Sequence, residues 1–300
     1  MTRRFFRRHE GRGSYDLFSS YKHYLPGIGG VCALLAMFAI GVRLGKLVTI
    51  ALEFTLGDVF TANYGMLISY PVMFIPALLF ASVQSRLSEY NTEGVALDSN
   101  EALKGRTLLY VFAGVFSTIA AAYVIEPVNS LLPPMPEALK AVFKQILELT
   151  PFWATLVSVS LFAPLFEEWL CRGIVLRGLL KKVNPCSAII ISAAFFAVLH
   201  MNPWQAIPAF AIGLLFSYIY YRTGSLKLTM LMHCANNTLA AVLGRMPEFK
   251  DAETFMDILS PGAYWAIYVA CVLIVICTFI VFTKHRSTGW ATCQCTSEEH

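Results

Sequence analysis

The 300-residue chain is 57% hydrophobic and only 14% charged, with a mean hydropathy of +0.60. A soluble domain carries about 25% charged residues, so the composition excludes an ordinary soluble enzyme and points to a polytopic membrane protein. The net charge of +4 says little as a total; the lipid bilayer is the expected surrounding, and no nucleic-acid partner is expected.

In chain order, residues 1–24 form a basic, aromatic arm (RRFFRRHEGR). Eight apolar segments follow, at 26–45, 64–84, 107–125, 152–176, 185–201, 204–221, 226–244 and 263–283. Each is long enough, or nearly so, to cross a hydrocarbon core of about 30 Å. The predicted fold is therefore an all-α, polytopic membrane bundle of about eight transmembrane helices. Residues 85–106 read as a polar loop. Between the third and fourth spans, two Pro-rich breaks precede Leu139, Val142, Phe143, Ile146 and Leu147 at helical spacing, the pattern of an interfacial amphipathic helix. The fifth and sixth spans are short and separated only by His200-Met201-Asn202-Pro203, which predicts a tight turn below the surface. The seventh carries Lys227, His233 and two Asn. No internal repeat is evident, and the first three spans and the last read as scaffold.

Lys and Arg set the orientation. With the N-terminus inside, sixteen fall on the cytoplasmic side and six outside, leaving Arg172 within a span. That asymmetry follows the positive-inside rule with both termini cytoplasmic. The first apolar run begins far from the N-terminus and lacks a small-residue cleavage site, so no cleavable signal peptide is expected. Six of the eight cysteines (Cys32, Cys171, Cys186, Cys234, Cys271 and Cys277) fall in or beside spans, where a reduced thiol acts as a small hydrophobe. Cys293 and Cys295 lie in the tail. The chain divides into the arm, 1–24; scaffold spans, a cytoplasmic loop and the interfacial helix, 25–149; a core, 150–245; and a periplasmic loop, last span and cytoplasmic tail, 246–300.

The informative passage is FEEWLCRG, which puts Glu167, Glu168 and Arg172 into the apolar fourth span. A charge at the bilayer centre costs at least about 2.5–3.5 kcal/mol on insertion scales, so intramembrane ionisable groups are functional candidates. Glu168 and Arg172 are i,i+4 neighbours and can pair. Glu167 is rotated by about 100° from Glu168, which leaves it free to face a cavity, although residue order alone leaves open which carboxylate is a base. Phe196 and His200 share one face of the fifth span, and His233 and Asn237 one face of the seventh. Counting about 1.5 Å per residue, Glu167 lies roughly 20 Å from Lys181/Lys182. By the same rise His200 lies roughly 22 Å from Pro185, and His233 roughly 10–15 Å from the Arg222–Lys227 edge. Acid, imidazole and amide groups from three segments therefore fall at similar depth.

In this order the three passages, E-E-x-x-x-R (Glu167 to Arg172), F-x-x-x-H (Phe196 to His200) and H-x-x-x-N (His233 to Asn237), resemble the CAAX protease and bacteriocin-processing family of intramembrane proteases. HMNPWQ and YYRTGSL strengthen the resemblance, which covers roughly residues 150–245. It implies that Glu167 and His200 activate a water, that His233 and Asn237 stabilise the oxyanion, and that Glu168, Arg172 and Phe196 support them. It also implies a peptide or membrane-protein substrate. A bacterial inner membrane is the expected location. No span carries G-x-S-x-G, and His200 and His233 are the only histidines within spans, so no Ser-His-Asp site competes. H-E-x-x-H is missing, since His9-Glu10 runs into Gly-Arg-Gly. A metal-free mechanism is expected; zinc, if bound, would take Glu167, His200 and His233. The rival readings are a non-catalytic membrane protein of bacteriocin self-immunity or scaffolding, and a proton- or cation-coupled transporter.

Overall fold

The computed structural model describes residues 18–99, 105–129, 131–249 and 254–284. The basic arm before Phe18 and the Cys293/Cys295 tail lie outside the described residues. Regular structure among the described residues is entirely helical: α1 Ile28–Leu56, α2 Asp58–Ser88, α3 Thr107–Asn129, α4 Glu137–Lys144, α5 Phe152–Leu179, α6 Pro185–Leu199, α7 Pro203–Thr223, α8 Leu226–Leu243 and α9 Pro261–Thr283. Eight of these correspond to the eight apolar segments, and α4 is the amphipathic helix. The bundle has a proximal end, where α1 starts, and a distal end, which carries the α1–α2 turn.

Five helices (α1, α2, α3, α5 and α9) are long and apolar enough to cross a membrane. The other three depart from the simple picture of eight equal spans. At 15 residues, α6 reaches only about 22 Å at 1.5 Å per residue, short of the hydrocarbon core. α7 and α8 have the length but more polar sequences. These helices sit against α5, whose most apolar stretch is 61% buried inside the protein, compared with 17% for α2 and α9. Polar and short helices are thus inside, and apolar ones form the lipid-facing shell. α1 is longer than expected, so Arg43 and Lys46, placed outside by the charge count, lie within it, about 22 and 27 Å from its start by helical rise.

Local chemistry sets the reversals. Asn184 caps α6 by accepting from Ser187 N (2.9 Å), with Pro185 in the first turn. Asn202 does the same for α7 through Gln205 N (2.9 Å), followed by Pro203. Proline suits this position because its missing N–H has no partner there in any case. Gly224 ends α7 at φ +68°, and Ser225 then caps α8 through Leu228 N (3.3 Å). The HMNPWQ and YYRTGSL passages are therefore the two turns that fold α6, α7 and α8 back on one another. Met201, in the first of them, holds φ at +54°.

α5 is not uniform. Its α-helical centre, Ala163–Glu168, lies between two π-helical stretches, Leu156–Phe162 and Trp169–Leu176. Pro164 opens the α-helical centre and has no N–H to return to the preceding turn. Below the centre, fully buried Arg177 donates to five backbone carbonyls: Gly173 (2.6 Å), Lys22 (3.0 Å), Val95 (2.6 Å), Tyr21 (2.8 Å) and Tyr24 (2.8 Å). This guanidinium ties the segment before α1 and the loop after α2 to the proximal end of α5.

Candidate active site

The Glu168–Arg172 pair forms as helical spacing predicts. Arg172 Nη1 donates to Glu168 Oε1 at 2.9 Å, and both side chains are fully buried. A buried ion pair needs further hydrogen bonds to offset its desolvation, and here they are partial, since Arg172 Nε and Glu168 Oε2 are buried with no hydrogen-bond partner. Arg172 Nη2 donates to Gly213 O on α7 (3.0 Å), and its guanidinium lies over the Phe196 and Phe216 rings at 4.5 and 5.4 Å. Gly213 is the residue that permits this approach. A Cβ there would meet Phe196 Cδ1 at 3.2 Å and Ala193 Cα at 3.3 Å. One arginine thus joins α5, α6 and α7.

His233 enters from α8. Its Nδ1 lies 3.0 Å from Glu168 Oε1, and its Nε2 lies 3.8 Å from Glu167 Oε2. The carboxylate paired with Arg172 has no proton to give, so Nδ1 carries the hydrogen and donates to Glu168. This fixes the ring with Nε2 turned toward Glu167. A gap of 3.8 Å is too long for a direct hydrogen bond and suits a bridging water. Glu167 Oε2 is buried with no hydrogen-bond partner, while Glu167 Oε1 accepts a short hydrogen bond from the Tyr70 hydroxyl of α2.

Phe196 connects the remaining histidine. Its ring meets His200 edge-on at 5.1 Å and His233 edge-on at 5.6 Å. His200 ends α6, and its Nδ1 donates to Phe196 O at 3.0 Å. A carbonyl can only accept, so Nδ1 holds the proton and Nε2 keeps a lone pair. Asn237 lies one turn beyond His233. Its Nδ2 donates to Val159 O on α5 (2.9 Å), and its Oδ1 accepts from Asn236 (3.3 Å). An amide nitrogen has two hydrogens, so this contact engages only one donor of Asn237.

The structure therefore gathers Glu167, Glu168, Arg172, Phe196 and His233 in direct contact. It brings His200 to the same phenyl ring and Asn237 to the next turn of α8. One expectation changes. The scaffold role read for the first three spans and the last does not hold throughout α2, whose Tyr70 hydroxyl donates to Glu167; a Tyr in an apolar helix gave no signal for this. Where the fourth to seventh spans meet, Arg172, Phe196, Phe216 and His233 pack against one another. A cavity of about 410 Å³ lies instead at the distal end, lined by Glu53, Asp58, Thr61, Asn63, Gln145 and Ser158 among others. Met66 and Leu67, also in its wall, are one helical turn from Tyr70. Glu167, His200 and His233, the residues that zinc would take, are not among any group of three His, Cys, Asp or Glu side chains close enough to hold a metal ion among the described residues.

Residues 149–239 match the family described as Rce1-like, type II CAAX prenyl endopeptidase. A Bacillus subtilis (strain 168) protein named "Putative membrane peptidase YdiL" is 26% identical over 108 residues, which is 35% of this chain and 44% of that relative. The chain thus matches less than half of that relative's length. No solved structure matches. All of the charged and polar groups of the site except Tyr70 fall inside the matched residues, so the segment that carries them is the one similar to the Rce1-like, type II CAAX prenyl endopeptidase family.

Proposed function

We propose that the protein is a membrane-embedded endopeptidase whose water is activated by Glu167 and histidine. One observation carries this reading: Glu167 keeps a buried, unpartnered carboxylate oxygen 3.8 Å from an imidazole nitrogen held in place by the Glu168–Arg172 pair. Water between Glu167 Oε2 and His233 Nε2 gives up a proton to Glu167 as its oxygen bonds to the scissile carbonyl carbon. The carbonyl π pair moves onto oxygen. The second N–H of Asn237 serves as the donor to that oxyanion, such a donor being worth about 2.7–4 kcal/mol. His233, whose one N–H is given to Glu168, does not take the oxyanion role that the resemblance implied. Collapse then breaks the C–N bond, and the proton on Glu167 passes to the leaving nitrogen, giving a carboxylic acid and an amine. His200 Nε2, which keeps its lone pair, is the second acceptor for water. Every step uses this chain's own side chains, with no metal.

The substrate class is a peptide or protein segment that reaches the membrane: a bacteriocin or signal-peptide precursor, or a membrane protein. The lysine and arginine asymmetry supports cytoplasmic termini, and the HMNPWQ and YYRTGSL passages support a bacterial inner membrane. Comparative peptidomics of cells carrying the wild type or Glu167→Ala tests the reading. A cleavage product that disappears with Glu167→Ala names the substrate. Identical peptide profiles, with the variant present in the membrane at wild-type level, refute hydrolysis by this site.

A further inference from the structure

Hydrolysis as described needs one oxygen of Glu167 held and the other left open. We infer that Tyr70 is the positioning residue that enforces this, an inference that rests on the peptidase reading. The two oxygens of a carboxylate are chemically equivalent, and rotation about the last side-chain bond is soft. An isolated Glu167 would exchange them and turn away from His233. The Tyr70 hydroxyl breaks that equivalence by donating to Oε1, which leaves Oε2 without a hydrogen-bond partner and 3.8 Å from His233 Nε2.

Tyr70 is itself fixed. Its ring packs on Phe74 at 5.5 Å, and Phe74 stacks on Phe166 at 5.5 Å, the neighbour of Glu167. α2 is held in turn by α1. A Cβ at Gly41 would run into the Met73 carbonyl, and one at Gly45 would lie 3.1 Å from Ser69 O, so the two backbones approach as only glycine allows. Pro71, directly after Tyr70, removes the N–H that would bond the Leu67 carbonyl one turn back. The orientation of the base is thus set through α1 and α2, outside the matched residues 149–239. The matched segment supplies the reacting groups, and α2 supplies their alignment.

The test uses the full chain in lipid nanodiscs, with Tyr70→Phe, which keeps the ring and deletes only the hydroxyl. Infrared difference spectra of wild type against Glu167→Gln isolate the Glu167 carboxylate bands, and those bands shift in Tyr70→Phe. With self-quenched fluorescent casein as the probe, kcat falls about 10- to 100-fold, the loss of one hydrogen bond to a charged group. KM stays within about twofold and the melting temperature is unchanged, as expected for a change confined to the base. Unshifted carboxylate bands in Tyr70→Phe overturn the inference, and so does a shift with kcat unchanged. Failure of the peptidase reading is a separate result: Glu167→Gln then matches wild type in casein turnover, zero included, while the infrared arm still decides whether Tyr70 orients Glu167.

Discussion

His233 Nε2 and Glu167 Oε2 face one another at 3.8 Å, an imidazole nitrogen and a carboxylate oxygen from helices far apart in the chain. Glu167→Gln keeps the shape of the side chain and removes its ability to take a proton. Hydrolysis falls by about 10²–10⁴, the range for general-base catalysis, with no loss of folding. Steady-state rates alongside thermal melting in detergent check both halves.

Glu168 behaves differently because it is a structural partner. Glu168→Ala leaves Arg172 fully buried without its carboxylate and frees His233 Nδ1. Removing one member of a buried pair costs about 3–5 kcal/mol, so this variant melts far below Glu167→Ala. The order of the two melting temperatures tests the division of labour between adjacent glutamates.

The two glutamates also show what residue order reveals. The Glu168–Arg172 pair was legible because i,i+4 spacing on a helix forces contact, and it forms at 2.9 Å. The eight helices and the tight turn at His200–Pro203 were legible from apolar runs and capping residues, although Met201 in that turn is 63% exposed. His233 reaching both glutamates was not, since the contact closes over 65 residues and depends on how α8 packs on α5. Depth along each helix brought His233 and Glu167 to a common level without saying which nitrogen would face which oxygen. Tyr70 was invisible for a related reason: a phenol in an apolar helix shows its partner only once α2 is docked. The π-helical winding of α5 has no periodic signature, and Arg43 and Lys46 could not be placed from charge when α1 outran its apolar core.

Metal removal provides an independent check. The acid and the two histidines do not form a ligand group. Activity therefore survives prolonged treatment with 1,10-phenanthroline and EDTA within about twofold, and added zinc gives no recovery above the untreated rate. Loss on chelation with restoration by zinc contradicts the proposed chemistry.

The Arg177 cluster makes a stability prediction away from the chemistry. Lysine in its place keeps the charge but presents three donors from one point, too few for carbonyls of Gly173, Lys22, Val95, Tyr21 and Tyr24 together. Arg177→Lys therefore destabilises by about 2–4 kcal/mol, since hydrogen bonds to charged groups are worth about 1.5–3 kcal/mol each. Limited proteolysis should then cut first near Tyr21–Tyr24, and the wild type should resist there.

The most direct measurement follows the peptide found by comparative peptidomics. Purified wild type, Glu167→Gln and His233→Gln are each given that peptide in nanodiscs, with product quantified by mass spectrometry. The wild type releases both halves of the peptide, and each variant, folded to the wild-type melting temperature, loses at least about 100-fold in rate. Cleavage by Glu167→Gln at close to the wild-type rate would contradict a water activated between these two side chains.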